Sequence, residues 1–181
     1  MGKPENRYRP TTEEMRMLHE KAAQAPIDPV TFRKVMGNFA TGVAVVTTAV
    51  DGTRFGMAVN SLASVSLDPC LLLVCPKKGS ATGDAIKRSG VFAVNVLGES
   101  QQDLCMRFVG EEASRFDELD LDEDNRGVPL LPGSLAHISC QLEAVHPGGD
   151  HDIIVGRVVD CSLETGNPLI FHDGQFCRRA A

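Results

Sequence analysis

No apolar run in this chain reaches the roughly 18 to 20 residues needed to cross a bilayer. The opening stretch, MGKPENRYRPTTEE, lacks the apolar segment of a secretory signal. Cysteines stand at 70, 75, 105, 140, 161 and 177 without a C-x-x-C pair, so neither a zinc knuckle nor a thioredoxin-type site is indicated. Net charge is -6, which denies the molecule as a whole the basic footprint of a nucleic-acid binder. No repeated strand-helix-strand pattern with a G-x-G-x-x-G turn appears, which disfavours a Rossmann domain. Neither a G-x-S-x-G elbow nor a kinase or P-loop signature is present. These absences lead us to expect a cytoplasmic protein without membrane, nucleic-acid or metal partners.

What is present fits a folded domain. The 181 residues suffice for one sizeable core, and 43% hydrophobic with 23% charged residues is ordinary for a globular protein. We expect residues 1–27 to form an N-terminal leader and helix, where Thr11 and Glu14 have capping-box spacing and Met15, Leu18 and Ala22 recur at helical intervals. Residues 28–181 form the main domain, organised around 37–76. An apolar, β-branched run, 43–50, meets Asp51-Gly52, a strong hairpin signal because glycine supplies the positive φ of the favoured turn. The chain returns through 55–59 into a small, hydroxyl-rich segment, 60–66. Leu67-Asp68-Pro69 breaks it, and 70–75 is a third strand. Antiparallel strands of this kind need a partner face or a closed barrel to hide their edges.

Asp28-Pro29 starts a helix with Asp as N-cap. Its stripe, Phe32, Val35, Met36 and Phe39, is expected to pack on the barrel or a partner subunit. A short helix runs to about Arg88, a strand covers 92–97, and a helix begins near Ser100. The acidic, turn-rich segment 111–127 reads as a surface excursion. Two long strands, 135–145 and 153–163, flank HPGGDH at 146–151, a tight rim connection. Residues 168–171 and 174–176 complete a sheet in which strands outnumber helices.

Two places carry chemistry. Lys77, Lys78, Ser80 and Thr82 cluster at a helix start, where free N–H groups, hydroxyls and ammonium groups suit a phosphate; the same residues also describe a capped helix after a solvated basic turn. His151 follows Gly148, Gly149 and Asp150, and its near-neutral pKa type allows proton exchange, although a loop histidine can equally be a solvated one. His146 and Cys140 stand near it, but no fourth ligand lies at a metal-site spacing.

At this point the sequence resembles the short-chain flavin reductases that serve two-component flavin-dependent monooxygenases, including the reductase partners of phenol and 4-hydroxyphenylacetate hydroxylases. The resembling stretches are FRKVMGNFATGVAVVTT (32–48), AVNSLASVSLDPCLLLVCPKKGSAT (58–82), FAVNVL (92–97), RF (115–116), GGDH (148–151) and PLIF (168–171). Cys70 stands where many relatives carry a second proline. The resemblance implies a mainly β split barrel of Greek-key type with flanking helices, found as a homodimer. It implies a hydride transfer from NADH to FAD or FMN, with the reduced flavin passed to a separate monooxygenase. It places flavin along Ala58, Val59, Asn60 and Ser61, near Ser64 and Ser66, and its phosphate at Ser80 and Thr82 with Lys78 close. Phe108 and Arg115 border the cleft, and the Gly149, Asp150, His151 loop puts His151 beside the nicotinamide as the catalytic-site residue. Two other activities use the same barrel: a flavin carrier without nicotinamide chemistry, and an FMN-dependent oxidase of the pyridoxamine-phosphate type.

Overall fold

A computed structural model describes residues 11–13, 26–110 and 115–178. The expected leader helix lies mostly outside the described residues. The chain falls into two units, Met1–Met36 and Gly37–Ala181. Helix α1, Pro29–Gly37, begins as the sequence predicts: Asp28 Oδ2 accepts from the Thr31 backbone N–H at 2.9 Å and from its hydroxyl at 3.0 Å. Those bonds hold the Asp28 carboxyl below the usual carboxylate range. No residue of α1 is buried; Phe32, Val35 and Met36 are all about half exposed or more.

The second unit is built on antiparallel strands. They are β1 (Thr41–Gly42), β2 (Ala44–Val50), β3 (Thr53–Val59), β4 (Ala63–Leu67), β5 (Cys70–Val74), β6 (Val91–Val96), β7 (Asp122–Glu123), β8 (Pro129–Leu130), β9 (Ala136–Gly148), β10 (His151–Leu163), β11 (Ile170–His172) and β12 (Gln175–Cys177). Helices α2 (Ala81–Ser89) and α3 (Gln102–Arg107) flank β6 in sequence. The main sheet has seven strands in the order β3-β2-β6-β9-β10-β5-β4, and β1, β11 and β12 form a smaller one. The β2–β3 hairpin turns at Asp51 and Gly52, both at positive φ, and pairs Val50 with Thr53 as expected.

The run 55–66 is not one strand. It breaks at 60–62, and β4 pairs with β5 rather than continuing β3. The consequence decides the architecture. β3 and β4 are the two edges of the sheet, yet three residues join them. Such a link reaches about 14 Å at full extension, whereas six strand spacings of a flat sheet are about 29 Å. The sheet must therefore curl until its edges approach, as in the split barrel that the resemblance implies.

Alternation along β2 divides two cores. Ala44 and Val46 pack with Val59, Leu72, Val74, Ile86, Phe92 and Ile154. Val43, just before β2, and Val45 pack with Leu97, Cys105, Phe108, Leu131 and Leu169 on the other side. Successive strand residues face opposite ways, so a strand apolar at every position is one covered on both faces. Burial pushes the Cys140 thiol up to about 12, which makes it an inert core residue.

Gly156 on β10 lies in closely packed surroundings. A Cβ there would lie 2.4 Å from Phe92 Cζ and 3.0 Å from Cys140 Cβ. Gly156→Ala should destabilise the fold by about 1–3 kcal/mol, the usual cost of overpacking a core. Urea unfolding followed by far-UV circular dichroism checks it, and an unchanged midpoint would show that Phe92 can move aside.

Candidate functional site

The β9–β10 hairpin carries its strands almost to the tip. Gly148 pairs with His151, leaving Gly149 and Asp150 as a two-residue turn, with Gly149 at φ +69°. His151 thus opens a strand rather than floating in a loop. Its Nδ1 lies 2.8 Å from Asp150 Oδ1. That hydrogen bond from His151 is the main reason the Asp150 carboxyl is held below its usual range. An ionised carboxylate can only accept, so Nδ1 carries the hydrogen and Nε2 is the nitrogen left to meet a ligand.

The lysine-rich turn lies against this hairpin. The Lys78 backbone N–H donates to Asp150 O at 3.0 Å and its Nζ to Gly149 O at 2.6 Å. Lys77 and His151 form an isolated β-bridge, and the Asp152 N–H donates to Pro76 O at 2.9 Å. Two features read separately in the sequence are therefore one place. The turn runs into α2 through Ser80, an N-cap whose Oγ accepts from Gly83 N at 3.3 Å. Thr82 sits buried in the first turn. At the far end of α2, Lys87 Nζ contacts Asp84 at 2.7 Å and Asp152 at 3.0 Å. These two carboxylates, Asp84 foremost, hold the Lys87 ammonium above its ordinary range.

The remaining predicted residues gather around the ends of β3 and β4. Ala58 and Ser61 are half-buried, Val59 is buried, and Asn60 and Ser64 are exposed. Ser61 Oγ accepts from Cys75 N at 3.0 Å, which joins the break between β3 and β4 to the residue before Pro76. Ser66 Oγ accepts from Asp68 N at 3.2 Å. Phe108 offers its backbone to this region, its carbonyl accepting from Ala58 N at 2.9 Å. Its ring lies in the second core, edge-on to Phe116 at 5.1 Å. Arg115 donates to Gly56 O at 2.5 Å and Gly110 O at 2.7 Å, clamping the chain beside β3.

The donor set suits a phosphate. Two lysines, the N-cap hydroxyl of Ser80 and the start of a nine-residue helix follow one another at 77–82, although the Lys78 ammonium is on Gly149 O and the Gly83 N–H on Ser80. Among the described residues no group of His, Cys, Asp and Glu could hold a metal ion. A separate cavity of about 280 Å³ is lined by Glu99, Asp103, Leu169, Phe176, Cys177 and Arg178 among others, and none of the predicted site residues borders it. Sequence reasoning missed Lys87 and Asp152. Their pairing spans 65 residues, and no local pattern announces it.

Comparison with known proteins returns one consistent answer. The profile of the flavin reductase like domain matches residues 36–180. A flavin-dependent monooxygenase reductase subunit, HsaB of Rhodococcus jostii, is 49% identical over 156 residues, covering 86% of this chain and 80% of that protein. The FMN reductase (NADH) SmoA of Agrobacterium fabrum is 44% identical over 147 residues, covering 81% and 84%. Among solved structures, the NADH:FAD oxidoreductase SgcE6 of Streptomyces globisporus, in complex with NAD and FAD fragments, superposes with a TM-score of 0.81 at 34% identity, covering 87% of this chain and 98% of that one.

Proposed function

This chain belongs to the flavin reductase-like family, and from that membership we propose that it is an NADH:flavin oxidoreductase that reduces FAD or FMN and supplies the reduced flavin to a separate monooxygenase. The observation that carries the proposal is the hydrogen-bonded junction of the 77–80 turn with the Gly149–Asp150 turn. It sets an anion-binding helix start beside an oriented histidine, as a site for two phosphorylated partners requires.

When both partners are bound, reduced nicotinamide supplies a hydride that the flavin accepts. The chain's part is to hold the two rings at near-attack distance. Ser80, Thr82 and the start of α2 bind the flavin phosphate, with Lys77 and Lys78 supplying positive charge. The end of β3, Ala58, Val59, Asn60 and Ser61, with Ser64 and Ser66 of β4, lines the flavin position. Phe108 and Arg115 fix the chain beside that strand, and Gly149 and Asp150 aim the ring of His151. In its neutral form Nε2 accepts from the nicotinamide amide, a positioning contact that needs no proton transfer.

Steady-state oxidation of NADH and of NADPH, each with added FAD and FMN, tests the proposal. Bleaching of flavin by NADH supports it. Flavin binding without NADH oxidation would identify a carrier, and bleaching by an amine in place of NADH would identify an oxidase. All six cysteines are unpaired, in keeping with a reducing, cytoplasmic setting.

We also propose a homodimer. Phe32, Val35 and Met36 of α1 are exposed at 48% to 60%, an apolar stripe that a second copy would cover, and Phe39 is 69% exposed. Light scattering coupled to size exclusion should give twice the chain mass, and Phe32→Glu with Val35→Glu should shift it to one. A concentration-independent monomer for the native chain would overturn this assignment.

A further inference from the structure

Lys87 and Asp152 touch neither proposed ligand position, yet their pairing joins the two elements that carry them. Asp152 follows His151 on β10, and adjacent strand residues face opposite ways. Asp152 therefore reaches α2 while His151 is left to face the other side. The Asp152 carboxylate is 14% exposed and Lys87 is 35% exposed, so the pair is partly withdrawn from water. Lys87 lies seven residues past Ser80, about 10 Å along the helix axis.

The hairpin is attached to the turn before α2 by the bonds from Lys78 to Gly149 and Asp150, by the Asp152 N–H to Pro76 O and by the Lys77–His151 bridge. The Lys87–Asp152 ion pair adds a side-chain link from the start of β10 to the body of α2 itself. The first set holds the hairpin to the turn, and the ion pair holds it to the helix that the turn leads into. We propose that Asp152 is a positioning residue for hydride transfer: paired with Lys87, it fixes the start of β10, and with it His151, against the helix whose N-terminus binds the flavin phosphate. This rests on the flavin reductase reading. Because the flavin is held from α2 and the nicotinamide from β10, the pair sets the relation between the two rings without contacting either.

The test is stopped-flow reduction of flavin by NADH in full-length Asp152→Asn. Reduction should slow by about 5- to 20-fold, less than the roughly 100-fold that a 1 Å misplacement can cost. Flavin affinity and the thermal midpoint should stay at native values, and the deuterium isotope effect with NADH labelled at the transferred position should rise. A purely structural role would lower the midpoint and leave the isotope effect alone. Should Asp152→Asn fail to fold, Lys87→Met, a change at a more exposed side chain, carries the same test. The Lys87→Met/Asp152→Asn double variant should be no slower than the slower single one, and the reversed pair, Lys87→Asp with Asp152→Lys, should recover most of the rate. Native reduction by Asp152→Asn, or additive losses in the double variant, would overturn the inference while leaving the activity standing. A native chain that does not oxidise NADH with flavin would overturn the activity itself.

Discussion

His151→Ala is expected to raise the apparent KM for NADH and to slow flavin reduction by about 10- to 100-fold, the scale on which a small misplacement of reacting atoms costs rate. Flavin affinity should change little. The structure gives a reason for separating the two effects. The contacts that join the hairpin to the flavin-phosphate turn are all made by backbone or by other side chains: Lys78 to Gly149 and Asp150, and the Asp152 N–H to Pro76. Truncating the imidazole removes none of them. What it removes is the ring whose Nδ1 is already held by Asp150 and whose Nε2 is free to accept from the nicotinamide amide. Hydride transfer takes no proton from the donor, so the loss is one of positioning, and the rate with saturating NADH should recover in part. Stopped-flow reduction, with flavin binding measured separately, reads both halves. A variant that loses flavin but reduces the remainder at the native rate would move His151 into the flavin site.

Much of this arrangement is legible in the sequence because its signals are local. Asp51-Gly52 announces the first hairpin, GGDH announces the second, and the caps of α1 and α2 follow from Asp28 and Ser80. The break at 60–62 is not legible. Asn60-Ser61-Leu62 contains no glycine or proline, and what stops the strand is a distant event, the Ser61 hydroxyl accepting the Cys75 N–H. Asn95 gives a similar case. A polar residue inside an apolar strand reads as an irregularity, but it is fully buried, donating to Val45 O and accepting from Leu131 N at 2.8 Å. The site shows the same division. The phosphate-type turn and the histidine loop can each be found by inspection, whereas their contact joins segments about 70 residues apart and appears in no local pattern. Lys78 illustrates what that contact changes. Placed by resemblance near the phosphate, it has its ammonium group on Gly149 O, so it serves the hairpin as well as any anion nearby. The roles of Ala58, Ser64 and Arg115 rest on resemblance alone, since exposed or half-buried strand and turn residues of these types occur throughout barrels.

The phosphate corner is the other place where a large effect is expected. Ser80→Ala with Thr82→Ala should weaken flavin binding by at least about tenfold, because each hydrogen bond to a charged group is worth roughly 1.5 to 3 kcal/mol. The structure complicates that variant. Ser80 is also the N-cap of α2, and replacing such a cap by alanine costs about 1 kcal/mol of stability, whereas glycine costs a few tenths. Thr82 is 4% exposed, so alanine there leaves a gap, while valine keeps the volume and removes the hydroxyl. Ser80→Gly with Thr82→Val therefore separates binding from folding. It should lose flavin affinity to the same extent as the double alanine variant while melting closer to the native temperature. The phosphate itself supplies the second control. If these hydroxyls bind it, the native enzyme binds FMN more tightly than riboflavin, which lacks the phosphate, and the Gly/Val variant loses that preference while its affinity for riboflavin stays put. Reduction at saturating flavin should remain near the native rate, since the two substitutions leave α2, its ion pair with the hairpin and the end of β3 in place. Equal FMN affinity in native and variant enzymes would remove Ser80 and Thr82 from the site and leave the turn at 77–80 as a support for the hairpin alone.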